Sequence, residues 1–528
     1  MADLVRARAG DSTTAILYQD ESWTYDEYVQ ACSQLAAFLL AERRPGPFHV
    51  GALLDNVPEF PMWLGAAALS GATLVGINPT RRGAELARDI THTDCQLIVT
   101  ESRYAELLAG LDLGLAPSRI LDVDSAGYRT RLEPYEGAPP PDVEVGEETR
   151  YLLLFTSGTT GAPKACICTQ GRLARIGGLV AEGYGLTPDD VCYQVMPMFH
   201  SNALMAGWGP TLAGGSTTAL RRKFSASNFL PDLRRYGATF FNYVGKPLSY
   251  ILATPEQADD ADNTLTRVFG NEAADADIGR FAERFGCSVT DNYGSTEGGL
   301  FIVRTSEQPA GSLGMGVGGA AVLDPETGEE CLPARFDEHG RLLNADAAIG
   351  EMVNREGTSS FEGYYKNDEA NEQRTRDGIY WTGDLGYRDE DGWFYFAGRD
   401  YDWLRVDGEN FAAAPVERIL MRHPDVVLAS VYAVPAEDVG DDVMVALELR
   451  PGWKFDGAEF DTFLAEQSDL GTKSTPRYVR VMDALPVTET KKVLKRQLRN
   501  EGWEATDSVW WRPGRKDPLQ PFVGAGRE

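Results

Sequence analysis

Apolar segments of strand length recur through roughly the first 390 residues, with helical patterns between them. Examples are FHVGALLD at 48–55, CQLIVT at 95–100 and YLLLFT at 151–156. Alternation of strands with helices is typical of α/β layering. Because 528 residues exceed what one hydrophobic core usually supports, two or more domains are expected.

The pattern changes near residue 398. The rest of the chain reads as a smaller unit that mixes helices and strands, among them the helical VERILMRHP and the strands VVLASVYAVP and RYVRVMD. We therefore predict an α/β protein, with a large N-terminal domain of layered sheets at 1–398 and a small α+β domain at 399–528.

Charge and composition exclude several classes of function. The net charge of −29 disfavours nucleic acid and anionic membranes as partners, which leaves a small-molecule enzyme as the expectation. Seven cysteines without a CxxC pair and five scattered histidines indicate neither a disulfide framework nor a zinc site. The N-terminus lacks an apolar signal region and no run of 18 apolar residues occurs, so no membrane span and a cytoplasmic location are expected.

The string TSGTTGAPK, at 156–164, directly follows the predicted strand YLLLF. Gly158 and Gly161 allow backbone N–H groups to converge on a phosphate chain, and Lys164 adds a positive charge. Lysine is scarce before residue 300, so a lysine that closes this loop is unlikely to be chance. The spacing differs from that of a Walker A loop. The loop hydroxyls belong to Thr156, Ser157, Thr159 and Thr160.

This loop resembles the phosphate-binding loop of the adenylate-forming superfamily, which includes acyl-CoA synthetases, peptide-synthetase adenylation domains and luciferases. Four further segments resemble that family's motifs in the family's order, so the resemblance covers nearly the whole chain. They are NYGSTEGG at 292–299 (adenine and magnesium), YWTGDLG at 380–386 (ribose), GRDYDWLRVDGEN at 398–410 (hinge) and PVTETKKVLKRQLR at 486–499 (catalytic lysine).

The resemblance implies an ATP-dependent enzyme with Mg²⁺ and a mobile C-terminal domain. Glu297, with Thr160, would hold Mg²⁺ on the triphosphate, since a hard cation prefers oxygen ligands. Asp384 would accept both ribose hydroxyls, and Arg399 would add a ribose or phosphate contact. Taken alone, Asp384 could equally be a turn residue and Arg399 a surface ion-pair residue.

The segment FGNEAAD, at 269–275, resembles the adenine-pocket strand of the family. The resemblance implies that Tyr293 stacks on adenine and that Thr296 reaches the α-phosphate. The remaining residues that it implies around the nucleotide are Gly270, Asn271, Glu272, Asn292, Gly294 and Ser295.

By its position, Lys492 matches the family's catalytic lysine. Its ammonium would bridge the substrate carboxylate and the α-phosphate, where negative charge builds as pyrophosphate leaves. The family's usual glycine before this lysine is Lys491 here, and Lys495 lies three residues on. Either neighbour could be mistaken for the catalytic residue, and the cluster could also be a solvated basic helix end.

The segment MPMFHSNALMAGW, at 196–208, resembles the family's segment with an aromatic or histidine gate, which would place His200 at the substrate pocket. The alternative is a histidine at a strand end whose hydrogen bonds are made within the fold. Tyr243, Gly245 and Lys246 lie in a segment that borders the acyl pocket in relatives. Burying a lone ammonium against an acyl chain is unfavourable, so Lys246 either meets a polar group of the substrate or points to solvent.

MPMFHSNAL, RRKFSASNF and YVGKPLSYIL together resemble the fatty-acid transport protein and bacterial fatty-acyl-CoA ligase branch. This branch implies an acyl-AMP intermediate and then a thioester with coenzyme A, with VDGEN at 406–410 along the pantetheine channel. The hinge position, usually Asp, Lys or Gly, is Tyr401, whose backbone is more restricted than glycine.

Two further functions stay open. Some enzymes that resemble this branch activate nitrite and pass it to an aromatic amine, and Lys246 would then bind an aryl carboxylate. A binding protein on an inactive ligase scaffold is disfavoured, because the chain retains all five of the family's residues at these positions: Lys164, Glu297, Asp384, Arg399 and Lys492. The sequence leaves open the acid substrate, the choice between CoA and nitrite, and the oligomeric state.

Overall fold

The computed structural model describes residues 1–156, 164–305, 307–338, 340, 342–357, 360–399, 403–406, 409–436, 441–471, 473–488, 492–503, 507–514 and 517–522. For residues 399, 403, 405, 409–411 and 496 it describes the backbone alone.

Helices α1 to α16 begin and end as follows: Ala2–Arg6, Tyr25–Glu42, Glu59–Ser70, Gly83–His92, Ala105–Leu108, Ala126–Leu132, Gln170–Gly183, Gly209–Gly214, Phe229–Tyr236, Pro247–Leu252, Asp275–Phe285, Ala345–Ala348, Asp368–Arg374, Ala413–Leu420, Gly457–Glu466 and Lys495–Glu501. Short 3₁₀ turns occupy Ser102–Tyr104, Pro117–Arg119 and Glu133–Tyr135, and a π-helix occupies Ala203–Trp208.

Strands β1 to β13 are Thr14–Tyr18, Glu21–Thr24, His49–Leu53, Thr73–Gly76, Cys95–Thr100, Ile120–Asp122, Arg150–Thr156, Lys164–Thr169, Val191–Gln194, Thr217–Leu220, Phe240–Val244, Arg267–Asn271 and Ser288–Asp291. Strands β14 to β20 are Ile302–Val303, Gly314–Gly316, Ala320–Leu323, Gly350–Asn354, Thr375–Arg376, Ile379–Arg388 and Trp393–Arg399. Strands β21 to β27 are Trp403–Val406, Glu409–Ala412, Val426–Pro435, Asp441–Leu449, Tyr478–Met482, Ser508–Trp511 and Gln520–Pro521.

The first part of the chain contains two mainly parallel sheets, ordered β13-β12-β11-β9-β10-β1-β2 and β6-β5-β3-β4-β7-β8. Strand β3 is buried along its whole length, as expected for a parallel strand covered on both faces. The largest buried cluster joins Phe38 of α2 and Trp63 of α3 to Tyr151 and Phe241, one from each sheet. Helices therefore pack between the sheets, in the predicted layered arrangement.

A third, antiparallel sheet has the order β14-β15-β20-β19-β17-β16, with β18 paired to β19. Strands β19 and β20 form a hairpin whose register pairs Asp384 with Arg399. The described backbone resumes at β21, so Tyr401 lies outside the described residues.

The last part of the chain has the two-stranded sheet β21-β22 and the five-stranded sheet β23-β24-β25-β26-β27. It has its own buried cluster, which contains Leu420, Val445 and Phe460. The predicted fold class, a large α/β part with layered sheets followed by a smaller α+β part, is confirmed. Across the described residues, no helix is both long enough and apolar enough to cross a bilayer.

Candidate active site

Most of the candidate residues lie at one edge of the first sheet. Strands β9, β11, β12 and β13 are parallel neighbours, so their carboxyl ends meet at the same edge. The segments that follow them carry His200, Lys246, Glu272 and Thr296. Ligands of open α/β sheets commonly bind beyond the carboxyl ends of the strands.

The predicted phosphate-binding loop joins β7 to β8, which pair through Thr156 and Lys164. The loop residues Ser157, Gly158, Thr159, Thr160 and Gly161 lie outside the described residues. Lys164 begins β8, and its ammonium stands 5.8 Å from the centre of the Tyr364 ring. Burial, followed by the positive charge of Arg374, lowers the pKa of Lys164, while Glu297 acts in the opposite direction.

Glu297 lies in a buried hydrogen-bond network with Tyr364 and Arg374, two residues that the sequence did not predict at the site. Its side chain is 7% exposed, and the Tyr364 hydroxyl donates to Oε1 at 2.6 Å. Arg374 Nε in turn donates to the Tyr364 hydroxyl at 3.3 Å. Burial, and then the charge of Glu297, raise the pKa of Tyr364, which keeps its hydroxyl protonated and able to donate. Among the described residues, Glu297 Oε2 has no hydrogen-bond partner.

The position of Tyr364 follows from its chain segment. Ile167 N donates to Gly363 O at 2.9 Å, and Tyr365 N donates to Ala165 O at 2.9 Å. The segment that carries Tyr364 therefore runs alongside β8, which begins at Lys164. This backbone pairing is why one tyrosine can contact both Lys164 and Glu297.

Thr296 connects this network to the histidine segment. Its hydroxyl is hydrogen bonded to that of Ser201 at 2.7 Å. Its carbonyl accepts from Arg172 Nη2 at 2.6 Å. His200 precedes Ser201, and burial, with a smaller effect of the Lys492 ammonium, lowers the pKa of His200 to about 3. The imidazole is therefore neutral at physiological pH.

The base-binding edge predicted at Gly270 and Asn271 is tightly built. A Cβ atom at Gly270 would lie 2.4 Å from the Tyr243 ring, so this position requires glycine. Asn271 Nδ2 donates to Asn292 O at 2.5 Å, and Asn202 Nδ2 donates to Asn271 Oδ1 at 3.4 Å. These amide contacts fix the end of β12 against the neighbouring segments.

Tyr243, predicted in the substrate pocket, is 0% exposed. Its hydroxyl donates to Asp291 Oδ2 at 2.6 Å, and its ring lies behind Gly270. In this structure it supports the base-binding edge from within the core. Gly245, with φ of 75°, follows β11, and its N–H donates to Asn271 O at 3.0 Å.

Lys246 precedes α10 and is partly buried. Within the described residues it has no ion-pair partner. The structure places it at the start of α10, beside the same strand end as Gly245.

The segment at 292–299 also contacts Asp384, the predicted ribose-binding residue. The Tyr293 hydroxyl donates to Asp384 Oδ2 at 2.6 Å, and Asp384 is 7% exposed. Asn292 Oδ1 accepts from Arg304 N at 3.1 Å, and Ser295 Oγ accepts from Gly298 N at 3.3 Å. A Cβ atom added at Gly294 would lie 3.8 Å from the Phe301 ring.

Lys492 reaches the site from the C-terminal part of the chain. Its ammonium lies 2.6 Å from Glu272 Oε1, and its backbone N–H donates to Thr488 Oγ1 at 3.1 Å. Lys495 forms an ion pair with Glu417 at 2.9 Å, within the C-terminal part. Of these two lysines, the structure places Lys492 at the site. Lys491 lies outside the described residues.

The donor set fits a metal that is held largely by the nucleotide. Within the described residues, no three His, Cys, Asp or Glu side chains come together as a cation site. Mg²⁺ commonly uses one or two carboxylates together with substrate phosphates. Glu297, with one oxygen bonded to Tyr364 and the other available, suits that role.

Comparison with known proteins identifies the class of this chain. Residues 5–365 match the family profile described as AMP-binding enzyme, and residues 415–492 match the AMP-binding enzyme C-terminal domain. The chain belongs to the AMP-binding enzyme family.

Two relatives narrow the activity, and one solved structure shows the fold. Steroid-22-oyl-CoA synthetase of Rhodococcus jostii is 52% identical over 520 residues, which cover 98% of this chain and 94% of the relative. Medium/long-chain-fatty-acid--CoA ligase FadD17 of Mycobacterium tuberculosis is 48% identical over 496 residues, covering 94% and 95%. The anthranilate CoA ligase AuaEII has the same fold, with a TM-score of 0.81 at 21% identity and coverage of 94% and 96%.

The protein is an ATP-dependent, AMP-forming acyl-CoA ligase. The predicted adenylate-forming activity and the predicted family are thus confirmed, and ATP and CoA are the family's substrates. The comparisons give no support to the nitrite alternative.

Proposed function

We propose that this ligase activates the carboxyl group of a large hydrophobic acid. The proposed substrates are steroids whose side chain carries a carboxyl group. The observation that carries the proposal is the 52% identity with a steroid-22-oyl-CoA synthetase across both parts of the chain. A medium- or long-chain fatty acid is the second candidate, because the fatty-acid ligase from Mycobacterium tuberculosis is 48% identical.

The charges near the pocket support an acid with one carboxylate. His200, which is partly buried, is neutral, because desolvation lowers its pKa to about 3. Arg304 is paired with Asp275 at 2.6 Å, and Arg172 donates to the Thr296 carbonyl. Lys246 can lay its aliphatic stem along an apolar substrate while its ammonium faces water.

In the first half-reaction, a substrate carboxylate oxygen attacks the α-phosphorus of ATP. The bond from that phosphorus to the bridging oxygen breaks, and pyrophosphate leaves with the electron pair. The Lys492 ammonium stabilises the negative charge that builds on the reacting oxygens. Thr296 is a donor for the α-phosphate, and Asp384, with Arg399, binds the ribose.

Mg²⁺ on the triphosphate would supply charge neutralisation, and Glu297 Oε2, with the Thr160 hydroxyl, would hold it. Lys164 adds a cation for the outer phosphates. Tyr364 keeps the Glu297 carboxylate in one orientation, since its hydroxyl donates to Oε1 at 2.6 Å.

In the second half-reaction, the CoA sulfur attacks the acyl carbon. The carbon–oxygen bond to AMP breaks, the thiol proton passes to solvent, and the thioester forms. We infer that the C-terminal domain, from residue 399 onward, moves between the two half-reactions and brings VDGEN at 406–410 to the CoA side.

A panel of acids tests the substrate class. A steroid with a C22 carboxylate, palmitate, benzoate, and anthranilate with nitrite are each incubated with ATP, Mg²⁺ and CoA, and AMP and thioester are measured. We expect kcat/KM for the steroid acid to exceed that for palmitate about tenfold, which corresponds to ~1.4 kcal/mol of transition-state binding. A higher kcat/KM for palmitate would favour the second candidate.

Lys246→Met sharpens the same test. With a steroid or fatty acid, we expect less than a twofold change in kcat/KM, because the ammonium has no substrate charge to bind. A loss on the order of a hundredfold, confined to acids with a second polar group, would contradict a purely apolar substrate.

A further inference from the structure

Glu272 has an unusual backbone conformation for a side chain of its kind. It directly follows β12 and has φ of 69°, in the left-handed region that favours glycine. Residues held in such conformations persist where the surrounding structure fixes them, and they cluster at functional sites. The amide contacts of Asn271 with Asn292 and Asn202 supply that fixation one residue earlier.

The same residue makes the contact between the two parts of the chain at the site. Its Oε1 lies 2.6 Å from the Lys492 ammonium, although 220 residues separate the two in sequence. Both side chains are partly open to solvent, with exposures of 46% for Glu272 and 39% for Lys492. A pair of this exposure is weak and exchanges partners easily.

The ion pair of Lys492 with Glu272 resembles the contact that Lys492 is proposed to make with the substrate carboxylate. Lys492 is proposed to hold a substrate carboxylate against the α-phosphate, and Glu272 offers it a carboxylate before any substrate has bound. We propose that Glu272 is a positioning residue, which holds the ammonium of Lys492 at the adenylation site and then passes it to the substrate carboxylate. This inference rests on the proposed catalytic role of Lys492.

The positioning role predicts an effect on one half-reaction. Without the carboxylate, Lys492 and the domain that carries it spend less time at the site. Adenylation should slow, whereas thioester formation from acyl-AMP, for which the C-terminal domain moves away, should not. The weakness of an exposed pair limits the loss to roughly two- to fivefold.

The experiment compares Glu272→Gln, Glu272→Asp and Glu272→Gly in the full-length chain. ATP–pyrophosphate exchange measures adenylation, and thioester formation from purified acyl-AMP measures the second step. We expect exchange to fall two- to fivefold in the Gln and Gly variants and to recover partly in the Asp variant. Thioester formation should stay unchanged. Glu283→Gln, at an exposed position on α11, is the matched control for charge loss and should leave both rates unchanged.

The glycine variant separates positioning from structure. Glycine adopts φ of 69° without strain, so its thermal unfolding midpoint should equal or exceed that of the wild type while exchange falls. A lower midpoint together with lower exchange and lower thioester formation would overturn the proposal in favour of a structural role.

A double variant tests whether Glu272 acts through Lys492. Adding Glu272→Gln to Lys492→Ala should change neither residual exchange nor ATP affinity measured by calorimetry, because the partner is already absent. A further loss of ATP affinity would show that Glu272 binds the nucleotide directly and would overturn the proposal. If Lys492→Ala alone kept normal exchange, the proposed role of Lys492 would fail instead, which is a different outcome.

Discussion

The carboxylate of Glu297 and the ammonium of Lys492 are proposed to serve the same site, but they are held in opposite ways. Glu297 is buried at 7% exposure and bonded to Tyr364, which is itself supported by Arg374. Lys492 is partly exposed and pairs with Glu272 across two parts of the chain. The nucleotide side is thus built into the core, whereas the lysine side is a contact that can be broken and remade.

The difference matches the demands of a two-step reaction. The nucleotide binds before the first step, and AMP stays until the second step, so its ligands gain from a fixed geometry. In the proposed mechanism Lys492 is needed while pyrophosphate leaves, and a tight ion pair would then slow the departure of its domain. A weak exposed pair suits a group that must be present at one step and absent at the next.

The largest effect is expected from Lys492→Ala. ATP–pyrophosphate exchange should fall by ~1000-fold, because one group aimed at developing charge contributes about 100- to 1000-fold to a rate. ATP binding, measured by calorimetry, should be largely kept, since the ground-state contacts lie elsewhere.

Lys495→Ala is the matched control, because its ammonium pairs with Glu417 away from the site. Loss of exchange in Lys495→Ala but not in Lys492→Ala would contradict the assignment of Lys492 to the site.

A smaller, metal-linked effect is expected from Glu297→Gln. Losing an anionic ligand should raise the Mg²⁺ concentration needed for half-maximal exchange on the order of a hundredfold. Apparent binding of the organic acid should change little. Equal losses in both would show that Glu297 acts structurally.

The smallest of the three effects is expected from Tyr364→Phe. Removing the hydroxyl that orients Glu297 should raise the Mg²⁺ requirement roughly tenfold, as is typical when a residue behind a metal ligand is lost. Mg²⁺ titration of the exchange reaction measures it.

Tyr365→Phe is a close control for this change. The Tyr365 hydroxyl also donates to a carboxylate at 2.6 Å, but to Asp94, away from the site. Its loss should lower thermal stability without changing the Mg²⁺ requirement. An equal shift in both variants would mean that Tyr364 supports the fold and not Glu297 in particular.

The sequence was sufficient to predict the fold class and the family, because ordered motifs and alternating elements are local patterns. Strand β7, which precedes the predicted phosphate loop, also follows from the apolar run at 151–156, whereas its pairing with β8 is seen in the structure alone. Tyr364 could not be predicted, since a tyrosine in FEGYYKN has no chemical signature until its segment is seen beside β8.

Two side chains show what the sequence could not predict. Glu272 was expected beside adenine because its neighbours are there, yet it pairs with a lysine 220 residues away. Tyr243 was expected in the substrate pocket, but its hydroxyl donates a hydrogen bond to Asp291 in the core. In both cases the direction of the side chain depends on partners distant in sequence, which the local motif does not show.

The π-helix at Ala203–Trp208 sets the angular relation between the site and the core. Such a turn holds one more residue than the α-helical turn it replaces, and each helical residue corresponds to about 100° of rotation. Asn202, just before it, faces Asn271, while Trp208, at its end, is buried. Deleting one residue, such as Ala206, with a return to ordinary α-helical winding would leave these two side chains nearly in phase, because the turn would lose only the extra residue that its wider winding accommodates. A second deletion would have no wider winding to draw on, and it would turn Asn202 away from Asn271 by about 100° relative to Trp208.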